Sequence, residues 1–416
     1  MEIKRPRYIK ELTDRKNNGL IKVITGLRRV GKSYLLNNLF AACLKDSGVD
    51  ENHIIKIAFD NPENEITTAK DLISCIKSKI TDKEIYYILL DEVQMLENFE
   101  GALNGLLYIE NVDIYVTGSN SKFLSSDIIT EFRGRGDEIH VYPLSFAEFM
   151  SVYPGDKYEG WNEYSLYGGM PVVLSRKTDQ QKADYLKILF KETYFKDIII
   201  RNGIRNTEVL ETLTDILSSL TGSLTNPKRI IDTFESREHI KVSPATIQSY
   251  ITALQEAFLI SCAKRYNIRG REYIGSPQKY YFEDIGLRNA RLNFRQYELP
   301  YFMETVIYNE LRMRGCNVDV GVIDKYEPDA NGKYVRKHLE VDFIVNRGSA
   351  RYYIQSAYEM RSPEKVMQEK KSLKIIDDNF KKIIVTGDIL KKHVDDNGIV
   401  VMSIYDFLLN ENSLDI

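Results

Sequence analysis

The 416-residue chain holds only four cysteines, Cys43, Cys75, Cys262 and Cys316, far apart and with no C-x-x-C spacing. That pattern argues against a zinc site or a disulfide framework, and Cys43 and Cys75 fall in helical patterns as small apolar residues. The opening Met-Glu-Ile-Lys-Arg-Pro-Arg lacks the apolar segment of a secretory leader, and no run approaches the length of a membrane span. The expectation is a cytoplasmic protein with no membrane partner. An excess of one charge is also missing: 57 Lys and Arg against 60 Asp and Glu leave a formal −3. This excludes a surface that is everywhere a nucleic-acid magnet, although a local basic face is compatible with it. Hydrophobic content of 43% with 28% charged residues is that of a globular protein, long enough for two or three domains.

What is present is more specific. Gly26-Leu27-Arg28-Arg29-Val30-Gly31-Lys32-Ser33 matches G-x-x-x-x-G-K-[ST] in full. The β-branched run Ile21 to Thr25 precedes it, and apolar residues at helical spacing follow from Ser33 to Leu44. A glycine-rich loop between strand and helix turns backbone N–H groups toward one point above a helix N-terminus. The loop, with Tyr34 beside it, is therefore expected to hold ATP. Lys32 reaches the β- and γ-phosphates, and the Ser33 hydroxyl serves Mg²⁺.

The apolar run Ile85 to Leu90 ends in Asp91-Glu92. Asp91 at a strand tip suits Mg²⁺, and Glu92 suits the general base that polarises the attacking water. A third strand, Asp113 to Thr117, ends in Gly118-Ser119-Asn120. Ser119 or Asn120 there is expected to sense the γ-phosphate. Next, Arg133 and Arg135 alternate with glycines in Phe132-Arg-Gly-Arg-Gly136. Presented from a turn, Arg135 first and Arg133 second are candidates for an arginine finger reaching a neighbouring subunit, which implies a homo-oligomer. The bland reading is a surface salt bridge.

Strands at 21–25, 54–60, 85–91, 113–118 and 138–143 alternate with helical patterns, the signature of a parallel sheet covered on both faces. The acid-bearing strand is expected not to adjoin the loop-bearing one, as in the additional-strand P-loop class. The fold class is α/β: a P-loop, AAA+-like domain over 1–150, a helical lid or linker over 151–205, a winged-helix region over 206–292, and a small restriction-endonuclease-like α/β domain over 293–416. Residues 1–18, with Lys4, Arg5, Arg7 and Tyr8, read either as a segment near the nucleotide base or as a solvated lead-in, the second being favoured.

In the winged-helix stretch the candidate recognition helix follows Ser243-Pro244 and turns Gln248, Ser249, Thr252, Gln255 and Glu256 outward, with no Lys or Arg. Base readout there is not supported, but the wing offers Lys264, Arg265, Arg269 and Arg271 for a DNA backbone. In the last domain, Glu304 on a helix, Glu340-Val-Asp342 on a strand and a polar position on the next strand follow PD-(D/E)xK nuclease order. Gln355 and Ala357 stand where a carboxylate and a lysine belong. Metal-dependent cleavage needs converging charge, so no cutting is expected.

Together, Ile24 to Ser33, Leu90-Asp-Glu-Val-Gln94, Thr117-Gly-Ser-Asn120, Gly134-Arg135, Tyr142 to Phe149, Tyr167-Gly-Gly-Met-Pro171, Lys196-Asp-Ile198, Tyr280 to Leu287 and Glu340-Val-Asp-Phe343 resemble the prokaryotic AAA+-type ATPases that carry a C-terminal domain of unknown function. The resemblance spans nearly the whole chain. It implies an AAA+ core, a winged helix, and a nuclease-like domain with eroded catalytic residues. The expected activity is Mg²⁺-dependent ATP hydrolysis driving a conformational change, in a DNA-associated process. The rival reading is a nucleotide-dependent signalling or defence switch that binds a protein.

Overall fold

The computed structural model describes residues 2–118, 134–238, 240–295, 298–328 and 334–415. The chain divides into two compact units, Met1–Pro143 and Leu144–Ile416.

In the first unit, β1 (Ile21–Thr25), β2 (Ile54–Ala58), β3 (Tyr86–Asp91), β4 (Val112–Thr117) and β5 (Gly136–His140) form one sheet in the order β2-β3-β4-β1-β5. Every pairing is parallel. The expected α/β class holds, and β4 does separate the acid-bearing β3 from β1. β1 and β3 are buried along their whole length, which is why β3 reads as an apolar run up to Asp91 and β1 as a β-branched run broken only by Lys22. The helices Ala69–Lys79 and Phe99–Leu106 press Leu72, Ile76, Phe99 and Leu103 against Ile21, Val23, Ile88 and Val116. The first of these helices opens with a reciprocal cap between Thr68 and Asp71.

On the opposite face Lys22 lies fully buried, its ammonium against the Asp113 carboxylate of the neighbouring strand. The Tyr115 hydroxyl donates to the same carboxylate at 2.9 Å. An ion pair so placed satisfies two charges that the sheet would otherwise leave desolvated.

The lead-in is solvated on one side only: Arg5, Tyr8 and Leu12 are buried, and Lys4 and Lys10 are exposed. Pro6–Asp14 is a helix started by proline at its first position, with Tyr8 and Leu12 buried one turn apart. Arg5, 5% exposed, donates to Val30 O at 3.2 Å and to Tyr142 O at 2.9 Å. The Tyr8 hydroxyl accepts from Tyr142 N–H at 3.1 Å. This segment braces the glycine-rich loop from behind.

In the second unit, β6 (Leu224–Thr225), β7 (Ile260–Asn267), β8 (Glu272–Phe282), β9 (Asn317–Pro328), β10 (Tyr334–Arg347), β11 (Ala350–Ala357), β12 (Lys381–Thr386), β13 (His393–Val394) and β14 (Val400–Ser403) make a nine-stranded sheet. Its order is β13-β14-β12-β11-β10-β9-β7-β8-β6. The parallel pairing of Arg265, Tyr266 and Asn267 with Val320, Gly321 and Val322 joins the β7–β8 hairpin to the later strands. Helices Thr207–Ser219, Pro227–Thr233 and Pro244–Glu256 precede that hairpin, with β6 between the first two. Helical turns run from Asp179 to Asn202 with a widened stretch at Leu189–Phe195.

Two sequence motifs meet here. Asp284, 2% exposed, accepts from Gly169 N–H at 2.7 Å and from Leu287 N–H at 2.9 Å, capping the helix Ile285–Arg291. Asn289 donates to Ser165 O and Leu166 O at 3.2 and 2.9 Å. Gly286 is required by proximity, since a Cβ there would lie 2.0 Å from Tyr167 O.

Candidate functional site

The loop between β1 and its helix is shaped by three residues with positive φ: Gly26 at 129°, Arg29 at 70° and Gly31 at 95°. Gly26 has a second constraint, because a Cβ there would meet Val141 O at 2.1 Å. Lys32 is buried, and its ammonium donates to Gly26 O at 3.0 Å and Leu27 O at 2.8 Å, both within the loop. Burial pushes this ammonium down to about 8, opposed by the nearby Glu92 and Asp91 carboxylates. Arg28, Arg29, Ser33 and Tyr34 are exposed, Leu27 and Val30 buried. The loop thus combines an apolar floor with a desolvated cation.

Opposite stands the tip of β3. Asp91 is 4% exposed and takes hydrogen bonds from the Thr117 and Ser33 hydroxyls and, at 3.2 Å, from the Asn37 amide. Burial raises its carboxyl, and the Thr117 and Ser33 hydrogen bonds work the other way. Asp91 and Ser33 are thereby brought together, as a shared hard cation would require. Among the described residues there is no group of three or more His, Cys, Asp or Glu suited to a metal. A donor set of one carboxylate and one hydroxyl fits Mg²⁺, which takes few protein ligands beside substrate phosphates and water.

Glu92 adopts a left-handed backbone conformation with φ 51°. Its N–H donates to Thr117 Oγ1 at 3.0 Å, and the Gln94 amide donates to its carboxylate. Thr117 therefore fixes both acidic residues, and sequence reasoning passed over it. Its only signal was its place as the last residue of β4, one strand away from Asp91. Ser119, Asn120 and Arg133 lie outside the described residues.

Arg135 is exposed immediately before β5. Ile21 pairs with Gly136 while Thr25 pairs with His140, so Arg135 flanks the end of β1 away from the loop. Four residues of strand span roughly 13 Å. Within its own chain Arg135 is thus remote from Lys32.

In the second unit Lys264, Arg269 and Arg271 are exposed and Arg265 is partly buried. Arg269 donates to Asp324 O at 3.2 Å. On the helix Pro244–Glu256, Gln248, Ser249 and Thr252 are exposed, Gln255 and Glu256 half-buried.

The carboxylates Glu304, Glu340 and Asp342 do converge, and they do so on a lysine that sequence reasoning missed. Lys279 of β8 places Nζ 2.8 Å from Glu304 Oε1, 2.7 Å from Glu340 Oε1 and 3.9 Å from Asp342 Oδ1. Burial alone would lower this ammonium, but the three carboxylates outweigh burial and hold it above the usual lysine range. Burial raises the Asp342 carboxyl, and the charge of Glu304 adds to that. A bulge between Val341 and Ile344 interrupts the β9–β10 register at Asp342. Ser356 N–H donates to Asp342 at 2.8 Å, while the Gln355 amide donates to Glu369 at 3.3 Å. Ala357 packs in an apolar cluster with Tyr353 and Leu373.

No helix among the described residues is long and apolar enough to cross a membrane. Residues 18–150 match an AAA domain, and residues 158–298 match a domain of unknown function, DUF8612. An uncharacterized protein of Haemophilus influenzae is 34% identical over 98% of both chains. One from Methanocaldococcus jannaschii is 27% identical over 86% of this chain and 79% of its own. Among solved structures, Aeropyrum pernix ORC1 in complex with DNA aligns at 13% identity and a TM-score of 0.30, over 70% of this chain and 92% of that one. The full-length match to the Haemophilus influenzae protein, together with the AAA domain in the first unit, establishes that the chain belongs to that protein's family of AAA-domain proteins.

Proposed function

We propose that the chain binds ATP with Mg²⁺ in the Gly26–Ser33 loop and hydrolyses it, turnover driving a conformational change in a DNA-associated process. The observation that carries this is the linked set Ser33–Asp91–Thr117–Glu92 facing a buried Lys32. Lys32 would neutralise charge on the terminal phosphates from a site where low polarity strengthens that attraction. Ser33 and Asp91 would hold Mg²⁺, which when bound supplies charge neutralisation at the β- and γ-oxygens. Glu92, oriented by the Gln94 amide and the Thr117 hydroxyl, would accept the proton of the attacking water. Ser119 and Asn120 remain the proposed γ-phosphate sensors.

Calorimetric titration with Mg·ATP tests the binding half. Lys32→Ala should weaken affinity by about 10- to 150-fold, the worth of a charge-assisted hydrogen bond. Binding within about twofold of the wild type would remove the loop from the account.

The position of Arg135 favours action on a neighbouring chain, and hence a homo-oligomer. Mixing Lys32→Ala chains with Arg135→Ala chains should restore part of the activity that each lacks alone. A monomer with full activity would exclude it, and would leave Arg133 no such role either.

A second reading, a nucleotide-dependent signalling or defence switch on a protein partner, is favoured by the cation-free face of the helix Pro244–Glu256. Binding to DNA that weakens with salt supports the first reading. Capture of a protein in one nucleotide state only supports the second.

A further inference from the structure

In the second unit a cavity of about 670 Å³ opens beside the β7–β8 hairpin, lined among others by Tyr266, Arg269, Arg271, Arg351, Tyr353 and Phe380. Its volume lies within the range of sites for small ligands. The side chains come from three places: the hairpin, β11, and the segment leading into β12. The Arg351 guanidinium lies 5.8 Å from the Tyr266 ring centre and 5.3 Å from that of Phe380. Its Nε donates to Asn346 at 2.9 Å, which fixes its plane. Tyr353 is anchored by its hydroxyl on Asp378 at 2.6 Å. Phe380 is 42% exposed and the adjoining Tyr273 62% exposed, rings that a folded chain usually covers.

We propose that this cavity receives one nucleotide of a single-stranded nucleic acid, its base against the Tyr266–Arg351–Phe380 wall and its phosphates toward Arg269 and Arg271. Planar rings and a guanidinium plane offer stacking to any base, and two exposed arginines offer charge to the backbone. A duplex keeps its bases stacked inside and cannot fill a concave pocket, whereas an unpaired strand can splay one out. Asp377 and Asp378 also border the cavity, and Asp378 accepts from the Tyr353 hydroxyl and Phe380 N–H. Carboxylates disfavour a bare inorganic anion but suit a ligand that brings N–H donors with its phosphates, as the amino group of adenine, guanine or cytosine and the ring N3–H of thymine or uracil do. The proposal deepens the DNA-associated reading by naming the partner, and it is independent of hydrolysis.

The test is fluorescence anisotropy of the full chain, with ADP and Mg²⁺ saturating the first unit, against labelled single-stranded and duplex oligonucleotides of equal length. Single strands should bind more tightly than duplex. Tyr266→Leu should weaken single-strand binding about 5- to 150-fold, while Tyr266→Phe, which keeps the ring, should bind as the wild type does. Arg269→Ala with Arg271→Ala should reduce the salt slope by about 1.4, two phosphates' worth. Binding of duplex with no preference for single strands would overturn the pocket and leave the DNA-associated reading standing. Binding of neither would overturn both. Equal loss in Tyr266→Leu and Tyr266→Phe would overturn the stacking role, and full competition by thymidine monophosphate would overturn the strand assignment.

Discussion

Glu92→Gln is expected to bind Mg·ATP as the wild type does and to turn it over roughly 10²- to 10⁴-fold more slowly, the range for loss of a positioned general base. Glutamine keeps the shape of the side chain and a carbonyl to accept from the Gln94 amide. The backbone contact from Glu92 N–H to Thr117 is untouched, so the left-handed turn at φ 51° should persist. What disappears is the group able to take a proton. Single-turnover phosphate release, measured beside nucleotide affinity, separates the two effects. A Glu92→Gln rate within about threefold of the wild type would show that another group manages the water.

Lys279→Met should destabilise the second unit by about 3–5 kcal/mol, the usual cost of removing one partner from a buried ion pair. Lys279 is 3% exposed, and its ammonium is shared by Glu304 and Glu340 at hydrogen-bond distance with Asp342 next. Without it, three carboxylates face one another in a desolvated place, and Glu304 keeps the Tyr281 hydroxyl at 2.7 Å. Because the folded state raises the lysine's proton affinity, this stabilisation is fully present at neutral pH and is lost only above the ordinary lysine range. Thermal melts should show a fall in Tm on the order of 10 °C, partly recovered by adding Glu304→Gln. An unchanged Tm would mean that the ammonium contributes nothing net. On this account the cluster is structural. No cleavage of single- or double-stranded DNA or RNA is expected with Mg²⁺ or Mn²⁺, and cleavage abolished by Asp342→Ala would contradict it.

The glycine-rich loop was legible because everything that makes it is contiguous: two glycines, a lysine and a serine between a β-branched run and a helical one. The five strands, and the separation of the acid-bearing one from β1, followed from the same pattern; the full order did not. Thr117 was not legible because its role arises only when β4 is laid beside β3. The burial of Arg5 was not legible for a like reason. Its two carbonyl partners, Val30 and Tyr142, come from distant parts of the chain.

Lys279 lay inside the stretch read as a winged-helix region, and the carboxylates inside a stretch read as a separate α/β unit. Only the β7–β9 pairing brings them into one sheet. Alternation along β11 placed Gln355 and Ala357 on one face, but it could not show that Gln355 would meet Glu369 or that Ala357 would sit among apolar side chains.

The central claim is that the Gly26–Ser33 loop with Asp91 and Glu92 hydrolyses ATP in a Mg²⁺-dependent way. Steady-state phosphate release by the purified wild-type chain at saturating ATP, with Mg²⁺ and then with excess chelator, tests it most directly. The account predicts slow release with Mg²⁺ that falls to background with chelator and is absent in Lys32→Ala. Release that persists without Mg²⁺, or that Lys32→Ala sustains at the wild-type rate, would contradict it.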